Sequence, residues 1–141
     1  TFASHYIEIV KNRAYNERNV FSKEEQESAL YTLHYCLDNL LKLLAPVIPI
    51  ITYKIYYTLN KEDIHFTDFP KIQNKSKNNF STTELIQLDS SIWKAKKDRG
   101  LSLKSEIKVL VIPTKFRDIV KDLREAHKAK EIKYGKLKIE F

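Results

Sequence analysis

Methionine is absent from this 141-residue sequence, and glycine occurs only twice. There is one cysteine, Cys36, and one tryptophan, Trp93. A single cysteine excludes an intramolecular disulfide and offers no thiolate set for a metal. Its place among leucines reads as a small buried hydrophobe. Two distant glycines leave no phosphate-cradling loop. The four histidines, His5, His34, His65 and His127, are dispersed without metal-ligand spacing. Neither H-E-x-x-H nor G-x-S-x-G occurs. Asp63 and Asp68 flank a turn and read as turn formers, not as a carboxylate pair for acid–base work. No apolar run has membrane-spanning length, and no leader pattern is present. The expectation is a soluble, cytoplasmic protein with no catalytic residue, no metal site and no cofactor of its own. A chain that begins at Thr1 with no methionine reads as processed or excised from something longer.

What is abundant is lysine, isoleucine, asparagine and tyrosine. The formal net charge is +7, from 25 basic and 18 acidic residues. That excess favours a polyanionic partner but does not by itself name one.

The chain is organised around residues 30–59. Leu30, Leu33, Leu37, Leu40, Leu41 and Leu44 recur at helical spacing as one stripe. Pro46 and Pro49 cannot continue that helix, and Pro49 suits the first turn of the next one. Ile51, Ile55 and Leu59 then predict the buried stripe of a further helix. Residues 2–18 read as a helix with Ala3, Ile7, Val10 and Ala14 inward, packed on the helix pair that follows. Ser22 and Glu25 have the spacing of a capping box for the long helix. Ile64, Phe66 and Phe69 are expected to anchor a closing loop on the bundle. Residues 71–83 are polar and aperiodic and read as a linker, with an RNA-contacting loop as the functional alternative.

Ser81 and Glu84 form a second capping-box pattern, and Gly100 is placed to close that helix. Its inward side is Leu85, Leu88, Ile92 and Trp93. The stretch from Leu103 to Ile112 alternates as a strand, with Ile107, Val109 and Val111 on one face and Leu110 and Ile112 on the other. Thr114 can cap a helix carrying Phe116, Ile119, Val120, Leu123 and Ala126. Leu137, Ile139 and Phe141 predict a second strand. The fold class is therefore α+β: an antiparallel α-helical bundle over residues 1–70, a linker over 71–83, and a small helix–strand–helix–strand unit over 84–141.

The stretch LLKLLAPVIPIIT at 40–52 resembles the L-L-K-L-L-x-P-x-x-P-x-I-T-E-E-I-W segment of class I aminoacyl-tRNA synthetases for valine, isoleucine and leucine. YIEIVKNR at 6–13 resembles their W-Y-I-E-x-x-K-x-R stretch, and Asp68-Phe69-Pro70 stands where they carry W-P. Together these cover about the first half of the chain. Residues 94–107 are similar to the K-x-x-x-G-x-x-L-x-x-E-I stretch of valyl-tRNA synthetases, the archaeal type above all. The R-x-P-L pattern of the isoleucine enzymes and the V-Q-V-N-G-K pattern of the leucine enzymes are absent. Two departures stand out: His5-Tyr6 replaces W-Y, and Tyr53-Lys54-Ile55-Tyr56 replaces E-E-I-W.

The resemblance implies a C-terminal, anticodon-binding piece of a valyl-tRNA synthetase. Its partners would be a valine-accepting tRNA and the catalytic domain upstream in the same chain, where ATP would be used. The HIGH and KMSKS signatures of those enzymes are absent, so the piece itself is expected to be non-catalytic. Anticodon loops are recognised with cations for phosphates, planar groups for stacking and amides for base edges. Lys11, Asn12, Arg13, Tyr15, Asn16 and Arg18 supply all three, although cations at a helix C-terminus also complement its dipole. Lys94, Lys96, Lys97 and Arg99 beside Trp93 form a second candidate cluster, with Trp93 itself read as core. Lys128, Lys130, Lys133, Lys136 and Lys138 read as a solvated face. The alternatives are the same domain of an isoleucine or leucine enzyme, and a helical protein–protein module presenting Tyr53, Tyr56 and Tyr57.

Overall fold

A computed structural model describes residues 2–71 and 79–141. Most of the expected linker at 71–83, and the loop reading attached to it, lies outside the described residues. The chain forms two compact units, Thr1–Ser22 with Lys77–Phe141, and Lys23–Ser76.

The first unit opens with a π-helical turn, Phe2–Tyr6, that runs into α1, Ile7–Tyr15. α1 ends at Asn16, a left-handed cap whose N–H returns to the Asn12 carbonyl. α4 spans Thr82–Asp98 and begins with the expected capping box. Ser81 Oγ accepts from the Glu84 N–H at 3.2 Å, and Glu84 Oε2 accepts from the Ser81 N–H at 2.7 Å. Gly100 follows it with φ +67°, the conformation glycine adopts without a Cβ penalty. β1 is Ile107–Ile112, α5 is Val120–His127, β2 is Ala129–Tyr134 and β3 is Lys138–Glu140. A 3₁₀ stretch, Thr114–Ile119, leads into α5, and Pro113 rather than Thr114 holds its cap position.

The sheet order is β2-β1-β3, with β1 parallel to β2 and antiparallel to β3. Leu110 pairs with Ile132 on one side and with Ile139 on the other, so three apolar side chains share the core face. Leu88 and Ile92 from α4, Ile107, Leu110 and Ile112 from β1, and Phe116 and Leu123 from the α5 segment close that core. Val109 and Val111 are half-buried. So Ile107 groups with the buried Leu110 and Ile112, not with the two valines as the alternation predicted.

The α+β class stands, but the sheet has a strand more than the sequence reading assigned. β2 carries Lys130, Glu131, Lys133 and only one inward aliphatic in its middle, Ile132. Charged residues suit an edge strand because they discourage pairing with another chain.

α1 also lies elsewhere than expected. Its buried residues are Ile9, Val10 and Ala14, while Ile7 is exposed, and it packs on α5 within the first unit. The Arg13–Asp122 pair joins the two helices. The division expected at residue 70 is thus crossed by α1, which groups with the sheet.

The second unit is a helix hairpin, α2 at Lys23–Leu44 and α3 at Pro49–Asn60, closed by a 3₁₀ turn at Ile64–Phe66. Pro49 occupies the first turn of α3, as its missing N–H favours. Its core is Leu41, Ala45, Tyr56 and Ile64. The expected stripe of Ile51, Ile55 and Leu59 is exposed, and Thr52 and Tyr56, four residues apart, face inward instead. Thr52 can do so because its hydroxyl bonds the Ile48 and Pro49 carbonyls, both at 3.0 Å. Of the long stripe on α2, Leu41 is buried whereas Leu30, Leu37, Leu40 and Leu44 are exposed. Ile64 anchors the closing turn as predicted, but Phe66 and Phe69 do not: they are 90% and 59% exposed. Cys36 is free and half-buried.

Candidate nucleic-acid interface

The end of α1 and the turn after it build a hollow of about 300 Å³. Lys11, Asn12, Tyr15, Asn16 and Arg18 line it, together with Glu17, Val20, Phe21, Glu125 and Lys128. Five of the six residues in the first sequence cluster therefore meet around one space. The turn is fixed by Asn16, whose left-handed backbone reverses the chain. Its carboxamide accepts from the Phe21 N–H at 3.1 Å and donates to the Phe21 carbonyl at 2.8 Å. Asn16 is thus spent on holding the turn. Asn12 has no such bond among the described residues and keeps its carboxamide at the hollow.

Tyr15 is 73% exposed. Lys11 pairs with Glu8 one turn back along α1. Arg18 Nη1 lies 3.7 Å from Glu125 Oε2 and remains largely in solvent. Contacts of this exposed kind are weak and exchange readily for other partners. Arg13 does not line the hollow. Its Nε donates to Asp122 Oδ1 at 2.8 Å, its Nη2 donates to Oδ2, and its guanidinium lies 5.6 Å from the Phe21 ring centroid.

A neighbouring hollow of about 510 Å³ shares Lys11, Asn12, Glu17, Glu125 and Lys128 with the first and adds Trp93 and Lys104. Trp93 is half-buried, with its ring stacked on His5 at a centroid distance of 4.9 Å. From the sequence Lys128 reads as part of a solvated face. It sits at the left-handed cap of α5, where the chain turns into β2, and borders both spaces. A cap position of this kind has no clear signature when the capping residue is lysine rather than glycine.

At the floor of the second hollow lies a constellation that sequence spacing does not reveal. Asp89 Oδ2 is 2.5 Å from His5 Nδ1, and Asp89 Oδ1 is 2.9 Å from His127 Nε2. Asp89 and His127 are both buried. The three come from the first turn, α4 and the end of α5, over a separation in sequence of 84 residues between His5 and Asp89. Among the described residues no group of His, Cys, Asp and Glu is arranged to hold a metal ion. Of the three, His5 and Asp89 share a hydrogen bond, whereas Asp89 Oδ1 and both ring nitrogens of His127 are buried without a hydrogen-bond partner.

The second sequence cluster separates. Lys96 is wholly buried, and its ammonium donates to the carbonyls of Leu103, Ser105 and His127 at 2.7–2.9 Å. Burial, and then the Lys128 charge, push its pKa below the usual lysine value. It is a structural residue and presents nothing to a ligand. Arg99 lies over the Phe141 ring, 4.4 Å from its centroid. Lys94 and Lys97 face solvent on α4. Tyr56 is buried in the second unit, so Tyr53, Tyr56 and Tyr57 do not form an exposed patch.

Comparison with known proteins places this geometry in context. The family described as the anticodon-binding domain of tRNA ligase matches residues 1–111. A valine–tRNA ligase of the archaeon Pyrobaculum aerophilum is 36% identical over 138 residues, 96% of this chain and 17% of that protein. One of Rickettsia canadensis is 33% identical over 151 aligned residues, 99% of this chain and 18% of that protein. One of Ehrlichia ruminantium strain Gardel is 41% identical over 122 residues, 83% of this chain and 15% of that protein. The chain thus spans about a sixth of the length of these curated relatives. No helix among the described residues is long and apolar enough to cross a membrane.

Proposed function

The chain belongs to the family of anticodon-binding domains of tRNA ligases, and from that premise we propose that it holds the anticodon region of a valine-accepting tRNA. The observation that carries this reading to a particular surface is the meeting of Lys11, Asn12, Tyr15 and Arg18, with Lys128, around one hollow. Lys11, Arg18 and Lys128 supply charge to backbone phosphates. Tyr15 offers an exposed ring on which an unstacked base can lie, a contact worth about 1–3 kcal/mol. The Asn12 carboxamide presents both a donor and an acceptor to a base edge. Lys94, Lys97 and Arg99 contribute at the periphery, toward the stem.

The valine assignment rests on residues 94–107 and on the relatives being valine–tRNA ligases. In this reading ATP-dependent aminoacylation takes place elsewhere in a longer cytoplasmic protein. This piece needs no cofactor and positions the tRNA for that distant site.

The test is binding of the chain to a valine tRNA transcript, and to the same transcript with its middle anticodon base changed, across a salt series. Affinity is expected to fall steeply with salt, with a logarithmic slope of roughly −0.7 to −0.9 per phosphate contact. The base change should weaken it further. Equal binding of the two transcripts would reduce the surface to a basic patch without a reading role.

A further inference from the structure

The hollow has two walls. α1 and its turn provide Lys11, Asn12, Tyr15 and Arg18, and α5 provides Glu125 and its cap residue Lys128. What joins the walls is the two-pronged contact of Arg13 on α1 with Asp122 in the first turn of α5. Asp122 is 3% exposed, so its carboxylate depends on this guanidinium for charge compensation. The same guanidinium lies over Phe21, itself buried, and Phe21 is the residue whose backbone Asn16 grips from both sides. One side chain therefore sets three things together: the spacing of α1 and α5, the seat of Phe21 and, through Asn16, the course of the turn carrying Arg18.

We infer that Arg13 is a positioning residue for RNA recognition and not a phosphate contact, and that Asp122 is its obligatory partner. This rests on the proposed RNA-binding role of the hollow. A guanidinium whose Nε and Nη2 both face a buried carboxylate is turned away from any ligand in the hollow. Lysine cannot replace it, because a point ammonium does not reproduce the planar two-pronged geometry.

The two roles give opposite results. A phosphate contact would survive Arg13→Lys, and Asp122→Asn, which removes a negative charge, would then strengthen binding to a polyanion. A positioning pair predicts that each substitution weakens binding about tenfold, the size of one charged hydrogen bond, with the salt slope kept at the parent value. It also predicts a loss of discrimination between the valine transcript and its middle-base variant, since Asn12 shifts with α1. A merely structural role would lower the folded fraction equally for both RNAs and leave their ratio unmoved.

The experiment measures both transcripts against the parent chain, Arg13→Lys, Asp122→Asn and the charge-swapped double variant Arg13→Asp with Asp122→Arg, with folding followed by circular dichroism. Weakened discrimination in the single variants at unchanged salt slope supports the inference. So does recovery of discrimination in the swap, including where a single variant fails to fold. Parent-like binding by Arg13→Lys, tighter binding by Asp122→Asn, or a folded swap without discrimination would overturn it. Lys11→Ala and Tyr15→Ala serve as the reference. If neither of these changes RNA binding, the RNA-binding reading of the hollow fails, and the inference with it. If both weaken binding while the Arg13 and Asp122 variants do not, only the positioning role fails.

Discussion

Lys96 Nζ stands 2.9 Å from the His127 carbonyl, and that one contact ties the last turns of α4 to the end of α5. Leu103 and Ser105 complete the cradle from the loop between α4 and β1. An ammonium has three donors, and here all three meet a carbonyl. Lys96→Met keeps the length of the stem but leaves three acceptors in a dry site. A loss of about 3 kcal/mol in denaturant stability is expected, each unsatisfied buried acceptor costing roughly 1–3 kcal/mol before relaxation. Because Lys96 presents nothing to solvent, the salt slope of RNA binding should stay at the parent value in that variant. A slope that flattened would place the ammonium on the surface.

Asn16 carries a different kind of strain. Its φ of 47° is left-handed, and its carboxamide closes a two-way bond with the Phe21 backbone. Asn16→Ala loses the bonds and keeps a Cβ in the left-handed conformation, which costs an L-residue about 1–2 kcal/mol. Asn16→Gly loses the same bonds but also removes that Cβ. Glycine should therefore be the milder substitution by about 1 kcal/mol, read as the gap between two urea unfolding curves. Equal losses would mean that the backbone does not hold the left-handed turn in solution.

Much of this architecture is legible in the chain. The Ser81–Glu84 box, the proline start of α3 and Gly100 after α4 are short-range signals whose chemistry is complete within a few residues, and all stand where the pattern puts them. At the end of α1, closeness in sequence is enough to bring Lys11, Asn12, Tyr15, Asn16 and Arg18 around one hollow. Periodicity could not decide which of two apolar faces turns inward. On α3 the bulky Ile51, Ile55 and Leu59 made the stronger stripe, yet Thr52 and Tyr56 are buried because each has a local partner for its polar or π-bearing end. Nor could it show that Lys96 is internal, since a lysine among lysines looks solvated until three distant carbonyls converge on it. The His5–Asp89–His127 cluster is a purely tertiary product, and spacing along the chain carries no trace of it.

The closing turn of the hairpin offers a direct contrast. Ile64 is 3% exposed and packs with Leu41, Ala45 and Tyr56, whereas Phe66, two residues on, is 90% exposed. Ile64→Ala should cost about 2–4 kcal/mol, the usual range for truncating a buried aliphatic. Phe66→Ser should change stability by no more than about 0.5 kcal/mol, as at other exposed positions. The reverse order in thermal or denaturant unfolding would show that the turn packs its phenylalanine inward.

Acid titration should single out the start of α4. Glu84 accepts from the Lys115 ammonium and from the Ser81 backbone N–H, and the lysine followed by that backbone bond lowers its pKa from 4.5 to about 2. A carboxylate that holds its charge more firmly when folded stabilises the fold. The contribution is complete above the unfolded value near 4.5 and is lost as pH falls through about 2. Glu84→Gln preserves the reciprocal capping bond, which glutamine can also make, but gives up the ion pair and the titration. The melting temperature of the parent chain should therefore exceed that of Glu84→Gln at neutral pH, and the gap should close between pH 4.5 and 2. Lys115→Met tests the cause. With the ammonium gone and the Ser81 bond retained, the pKa of Glu84 should return part of the way, so the gap should be smaller at neutral pH, begin closing at the same pH near 4.5 and finish closing at a higher pH than in the parent. A gap independent of pH across that window would mean that the carboxylate titrates alike in the folded and unfolded chains, and that the Lys115 contact does not hold at the helix start.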